Sequence, residues 1–249
     1  MSESEKHASS PASIGEALAT LLRDGWCGLR FLLGWRPPQA EIRASVARGA
    51  LFFPLFGAAG GSIVAEMLIL VGPEAPAMRA LLPVTLLALL SGGRPALDLF
   101  RFLGGGILGT LFLAGLLGAE AWAFLNLDGN LRVIALVLAP MLGRWAYVVQ
   151  AYGSLPARSD GFASMMVRHM QFTQFATASV CAMALSLMLI NALGTLVLFL
   201  VASLSILLRI FTHRRQGGVS GVSLGAGAFL AEAGVVILIG SIARLAAGS

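Results

Sequence analysis

The sequence predicts an all-α fold: a polytopic transmembrane helical bundle of about seven spans, with an amphipathic helix at the membrane interface before it. Three observations carry this. The chain is 57% hydrophobic over 249 residues. Only 12% of it is charged, about half the fraction usual in a soluble domain. Its basic residues sit between apolar runs and form no dense patch, so the net charge of +5 does not indicate nucleic acid. The first partner implied is the lipid bilayer.

Residues 1–13, MSESEKHASSPAS, are polar and mixed in charge. No basic stretch leads into a short apolar core, so they read as a disordered tail and not as a secretory signal. Residues 14–35 carry Leu, Trp and Phe interrupted by Arg23, Asp24 and Arg30, the pattern of an amphipathic helix lying in the interface. Pro37 and Pro38 end it. The transmembrane domain occupies 48–249. A span needs about 20 mostly apolar residues. The candidates are 50–72, 77–93, 103–127, 133–153, 172–191, 193–209 and 222–245. The second is short and contains Pro83.

Orientation follows from where lysine and arginine fall. With a cytoplasmic N-terminus, thirteen of them lie inside, and only Arg79, Arg132 and Arg244 lie outside. The expected setting is a bacterial inner membrane, with inside loops at 94–102, 154–171 and 210–221. Cys27 and Cys181 stand far apart and suit neither a disulfide framework nor a zinc site. Packing is their expected role.

Glu66, Glu120, Arg144 and Glu232 fall within spans. Each costs several kcal/mol at the bilayer centre unless paired, protonated or hydrated. Glu66 and Glu120 lie towards the outer interface. Arg144 and Glu232 lie deeper. A packing salt bridge and a polar cavity for a charged ligand both fit that pair. Glycines at 217–221 lead into the last span. Such a loop can offer backbone N–H groups to a phosphate, although membrane glycines more often serve close packing.

Several stretches are more specific: ARGALFFPLFG at 47–57, GRWAYV at 143–148, ARSDGFA at 157–163 and GGVSGVSLGAGAFLAE at 217–232. In order and spacing they resemble the cobalamin synthase family, membrane-bound adenosylcobinamide-GDP ribazoletransferases, over roughly residues 28–245. In that family an arginine–glycine pair precedes a Phe-Pro-Leu-x-Gly run, as Arg48, Gly49, Phe53, Pro54, Leu55 and Gly57 do here. An arginine followed by an Ala-Arg-x-x-Gly turn is matched by Arg144, Ala157, Arg158 and Gly161. The closing glycine-rich pattern is matched by Gly217, Gly218, Ser220, Gly221, Leu224, Gly225, Ala226 and Glu232.

The departures from that pattern bear on function. Family members carry an acidic loop after a Gly-Gly pair, and its carboxylates are the expected magnesium ligands. Here Gly92 and Gly93 are followed by RPALDLFRFLGGG, with Asp98 as its one acid. Val222 stands where the family has a later aspartate. Magnesium needs hard oxygen ligands, and Asp98 is flanked by Arg94 and Arg101. The resemblance therefore implies a ligand-binding relative that has lost catalysis, or a subunit of a membrane-protein complex. Its ligand would be a corrinoid or a nucleotide-linked small molecule. Arg48, Arg94, Arg101, Arg144, Arg158, Gly217, Gly218, Ser220, Gly221 and Glu232 are the candidate contacts. The alternative is the active transferase, which joins adenosylcobinamide-GDP to α-ribazole and releases GMP. Only that reading brings in a cofactor, magnesium at Asp98. A transporter fits less well, because no inverted repeat is visible.

Overall fold

The computed structural model describes residues 14–33, 43–72, 75–158 and 161–247. The expected tail at 1–13, residues 34–35 of the interfacial segment, the Pro37–Pro38 stop and Asp160 lie outside them. Helices run α1 Ile14–Leu32, α2 Arg43–Gly49, α3 Phe53–Val71, α4 Pro76–Leu90, α5 Arg94–Phe102, α6 Gly106–Leu125, α7 Gly129–Ala151, α8 Phe162–His169, α9 Phe172–Gln216 and α10 Gly221–Ala247. A 3-10 turn, Ala50–Phe52, joins α2 to α3. Among the described residues the β structure is a single isolated bridge, Pro156 to Val219. The protein is an all-α polytopic bundle.

Five continuous helical stretches are long and apolar enough to cross a membrane, or six if α4 and α5, bent by 89°, count as one. The two spans expected at 172–191 and 193–209 are both inside the 45-residue α9. Run straight, α9 would measure about 68 Å at 1.5 Å per residue, more than twice a bilayer core of about 30 Å. It is not straight. Ile190 (φ −139°, ψ 28°) and Asn191 (φ 52°, ψ −138°) leave helical geometry. A Cβ on Gly194 would overlap the Ser186 carbonyl oxygen. The chain therefore doubles back there, and α9 is two arms packed against each other.

The loop expected at 94–102 is helical. Gly93 turns the chain at φ 66°, and Pro95 sits in the first turn of α5. Pro95 and Leu99 are buried one turn apart, while Arg94, Leu97 and Arg101 face outward. That is an amphipathic period, and its charges had marked it as a loop. Likewise 162–169 is α8, and 210–216 completes α9.

Helices α7 and α10 form the centre. Their apolar windows are 78% and 72% buried, against 22% for α6. Glycine sets the closest approach. Gly57 and Gly61 of α3, four residues apart, press on the α7 backbone at Pro140 and Leu136, the small-xxx-small contact of membrane helices. Pro140 has no N–H to give Leu136. The Leu136 carbonyl left without its helical donor is the one that Gly61 faces.

Candidate functional site: an arginine-lined cavity at one end of the bundle

Helix α9 stops at Gln216, where Gly217 turns left-handed (φ 71°) and its N–H returns to the His213 carbonyl at 3.1 Å. The next residues pair with the segment after α7. Val219 N–H donates to Leu155 O at 2.8 Å, and Ala157 N–H donates to Val219 O at 2.9 Å. Gly218 lies flat against that segment, where a Cβ would strike Leu155 and Ala157. Arg209 Nη1 donates to the Tyr152 carbonyl at 2.6 Å and fixes the same segment from below.

Ser220 then caps α10. Its hydroxyl accepts from Ser223 N–H at 3.2 Å, and Ser223 Oγ accepts from Ser220 N–H at 2.8 Å. This reciprocal pair has the logic of a capping box. The first N–H groups of α10 lie at its positive end, and Gly221 and Val222 face a cavity of about 590 Å³. Arg101 and Phe102 from α5, Arg158 and Ser164 from the α7–α8 region, and Gln216 from α9 complete the wall. Two guanidiniums and a helix N-terminus around one cavity suit a phosphate.

Of the candidate contacts, Arg101, Arg158, Ser220 and Gly221 line this cavity, and Gly217 and Gly218 shape the loop beside it. Arg94 lies two turns before Arg101, exposed and outside the lining. Arg48 is elsewhere. Its Nε and Nη2 hold the buried Asp24 at 2.7 and 3.0 Å, and Nη2 also reaches Ser45 Oγ at 3.1 Å. Arg144 and Glu232 meet each other at 2.6 Å, both buried. They face one another as the sequence implied, but away from the arginine-lined cavity. Glu66 is exposed and Glu120 is buried.

Asp98 stands 3.8 Å from Arg101 Nη1, and its carboxylate rests on α10 where Gly225 has no Cβ to block it. Burial pushes its pKa up to about 6, against the opposing pull of Arg101 and Arg94. Among the described residues no three His, Cys, Asp or Glu side chains converge on a point. A magnesium ion needs several oxygen ligands, and this donor set does not fit one. Local pattern had not flagged Phe102, Ser164 or Gln216, and it had marked Val222 only as the place of a missing aspartate. The signal available was the expectation, from where arginine falls, that 94–102, 154–171 and 210–221 share one side.

Residues 104–240 match the protein family described as CobS, Cobalamin-5-phosphate synthase. The chain belongs to that family. The Cobalamin-5-phosphate synthase match takes in Arg144, Arg158, the 217–221 loop and Glu232, and starts just after α5. Three relatives carry the name adenosylcobinamide-GDP ribazoletransferase. The protein of Roseiflexus sp. (strain RS-1) is 39% identical over 127 residues, 51% of this chain and 47% of that one. That of Desulforamulus reducens is 31% identical over 134 residues, 54% of each chain. The match to Pseudomonas syringae pv. syringae (strain B728a) is 28% identical and covers 86% of this chain and 97% of that protein. The chain thus spans about half the length of the first two relatives. No solved structure matches.

Proposed function

We propose that this chain binds a phosphate-bearing corrinoid or nucleotide-linked small molecule at the arginine-lined cavity, without carrying out the metal-dependent transfer. In this reading the protein lies in the bacterial inner membrane, with its N-terminus and the cavity on the cytoplasmic side. The observation that carries the reading is the composition of the cavity wall. Arg101, Arg158 and the N-terminus of α10 surround it, and no carboxylate cluster accompanies them among the described residues. Transfer at a diphosphate needs charge neutralised as it develops, which a metal held by carboxylates supplies. Asp98 is turned onto Gly225 and towards Arg101. Arginines alone can grip an anion and leave it unchanged.

A second reading has its own support: the name adenosylcobinamide-GDP ribazoletransferase on all three relatives. A subunit role in a membrane-protein complex is compatible with the first reading. One experiment separates binding from turnover. Protein in nanodiscs is offered adenosylcobinamide-GDP, and binding is measured by calorimetry. Then α-ribazole and magnesium are added and cobalamin is quantified. The expected result is binding that falls at least about tenfold in Arg101→Ala and Arg158→Ala, with no cobalamin formed. Turnover that Asp98→Ala abolishes would establish the transferase and make Asp98 its metal ligand.

A further inference from the structure

The opposite end of the bundle has a cavity of its own, of about 350 Å³, where α3 ends and α4 and α7 begin. Helix α7 has 23 residues, about 33 Å of length, so this cavity and the arginine-lined one belong to opposite membrane surfaces. Arg79 of α4 and Arg132 of α7 are the charged residues of its wall.

Arg132 is half-buried. Its Nη2 donates to the Leu127 carbonyl at 2.7 Å, and its Nε is buried with no acceptor. It makes no ion pair. Among the described residues the charges that act on it most are Arg79, of its own sign, and Asp128. Asp128 is the N-cap of α7, and its carboxylate accepts from Leu131 N–H at 3.2 Å. Arg132 is therefore short of both an acceptor and a counter-ion, which is costly for a partly desolvated guanidinium. An anion in the cavity would supply both, with Arg79 as a second donor from the α4 side.

The wall below the arginines says what the anion is attached to. Gly72 and Gly129 stand at the rim. Leu68 and Val133 come next, and Ala65 and Leu136 lie deepest, seven residues or about 10 Å from the rim on both helices. The contacts of Gly61 with Leu136 and Gly57 with Pro140 fix this antiparallel register. Ile69, also in the wall, is 61% exposed, so the cavity opens sideways as well, towards the bilayer. Cations at the surface and an apolar channel leading inward follow the order of a phospholipid, phosphate outside and acyl carbons below. A free anion would use only the rim. Charge selects the headgroup: an ammonium beside the phosphate would be repelled by the two guanidiniums, and a glycerol would not.

We propose that this cavity holds a glycerophospholipid of net negative charge, with its phosphate on Arg132 and Arg79 and the first part of one acyl chain along Leu68 and Leu136. The site is separate from the arginine-lined cavity and does not depend on that cavity's ligand.

The test uses the full chain, reconstituted with equal amounts of phosphatidylglycerol and phosphatidylcholine of the same acyl chains and released for native mass spectrometry. Phosphatidylglycerol is expected to be retained about tenfold over phosphatidylcholine. One copy should be lost in Arg132→Gln and kept in Arg244→Gln, whose arginine lies at the same end but over Trp122, outside the cavity. A phosphatidylglycerol with a diazirine near the head of its acyl chain should label residues 64–72 and 129–136. Equal retention of the two lipids, a copy number unchanged in Arg132→Gln, or an equal loss in Arg244→Gln overturns the proposal. So does absence of label from those two segments. Displacement of the lipid by inorganic phosphate or glycerophosphoglycerol at a similar concentration overturns it too, because the site would then take a free phosphate. The labelling and the displacement need no variant, so a misfolded Arg132→Gln protein does not shield the idea.

Discussion

A guanidinium buried in a bundle destabilises it unless a carboxylate stands beside it, and for Arg144 that carboxylate is Glu232, 2.6 Å away. Removing one partner strands the other charge. Arg144→Ala should therefore lower stability by about 3–5 kcal/mol. The double change Arg144→Gln with Glu232→Gln should cost clearly less than the two single changes added together. Thermal unfolding in detergent measures all four proteins. Asp98 gives a prediction of the opposite kind, one of pH. Its folded pKa is raised to about 6 from 3.8, so the folded protein takes up its proton more readily than the unfolded chain. The stability it contributes is full below about pH 3.8 and is lost as pH rises through about 6. Protonation also removes a negative charge 3.8 Å from Arg101. Phosphate-ligand affinity should rise as pH falls from 7 to 5, more than the ligand's own titration accounts for, and this excess should vanish in Asp98→Asn. Titration calorimetry at several pH values reads both. In the sequence, depth and chemistry had already set Arg144 and Glu232 side by side, with a salt bridge as one of two readings. The sequence did not separate Arg48 from the cavity arginines, because nothing local shows that Asp24, 24 residues earlier, folds back onto it.

Helices α1 and α5 are amphipathic, and in each a close glycine contact lies beside a charged group that helps to dock it. Asp98 of α5 lies where Gly225 leaves room on α10. Gly225→Ala should push α5 away, at about 1–3 kcal/mol, and lower ligand affinity by displacing Arg101. Comparing binding with thermal unfolding distinguishes this from general loosening: Gly115→Ala, on an open face of α6, should change neither. For α1, Gly28 and Gly49 touch backbone to backbone, and Arg48 clamps Asp24 beside them. Arg48 is partly exposed, so solvent screens part of the attraction. The expected effect of Arg48→Ala is a looser α1. Cys27, 5% exposed on that buried face, should then react with maleimide faster than in the parent protein. The helical content of these segments was legible from apolar spacing. The identity of α5 was not, because three charges in nine residues look like a loop until the buried turn of Pro95 and Leu99 is seen.

At the scale of the molecule, the arginine-rich segments collect at one end. Their backbones pair there through Leu155, Ala157 and Val219, and the cavity opens among them. With Cys27 and Cys181 first replaced by Ser, Gln216→Cys should resist an impermeant maleimide in intact cells, while Asn130→Cys at the other end should react. The reverse pattern would invert the proposed orientation. The bundle itself was readable in the sequence because apolar length and the placement of arginine are both one-dimensional signals. The reversal inside α9 was read as a boundary between two spans, and the geometry makes it sharper than any loop. Only Ile190 and Asn191 depart from the helix. A connector that small has next to no hydrophilic backbone to carry through the hydrocarbon. The two arms can therefore slide into the membrane together as a closed hairpin during synthesis, from the arginine-rich side. A tip of two residues also offers a protease or antibody far less chain to hold than an ordinary loop would.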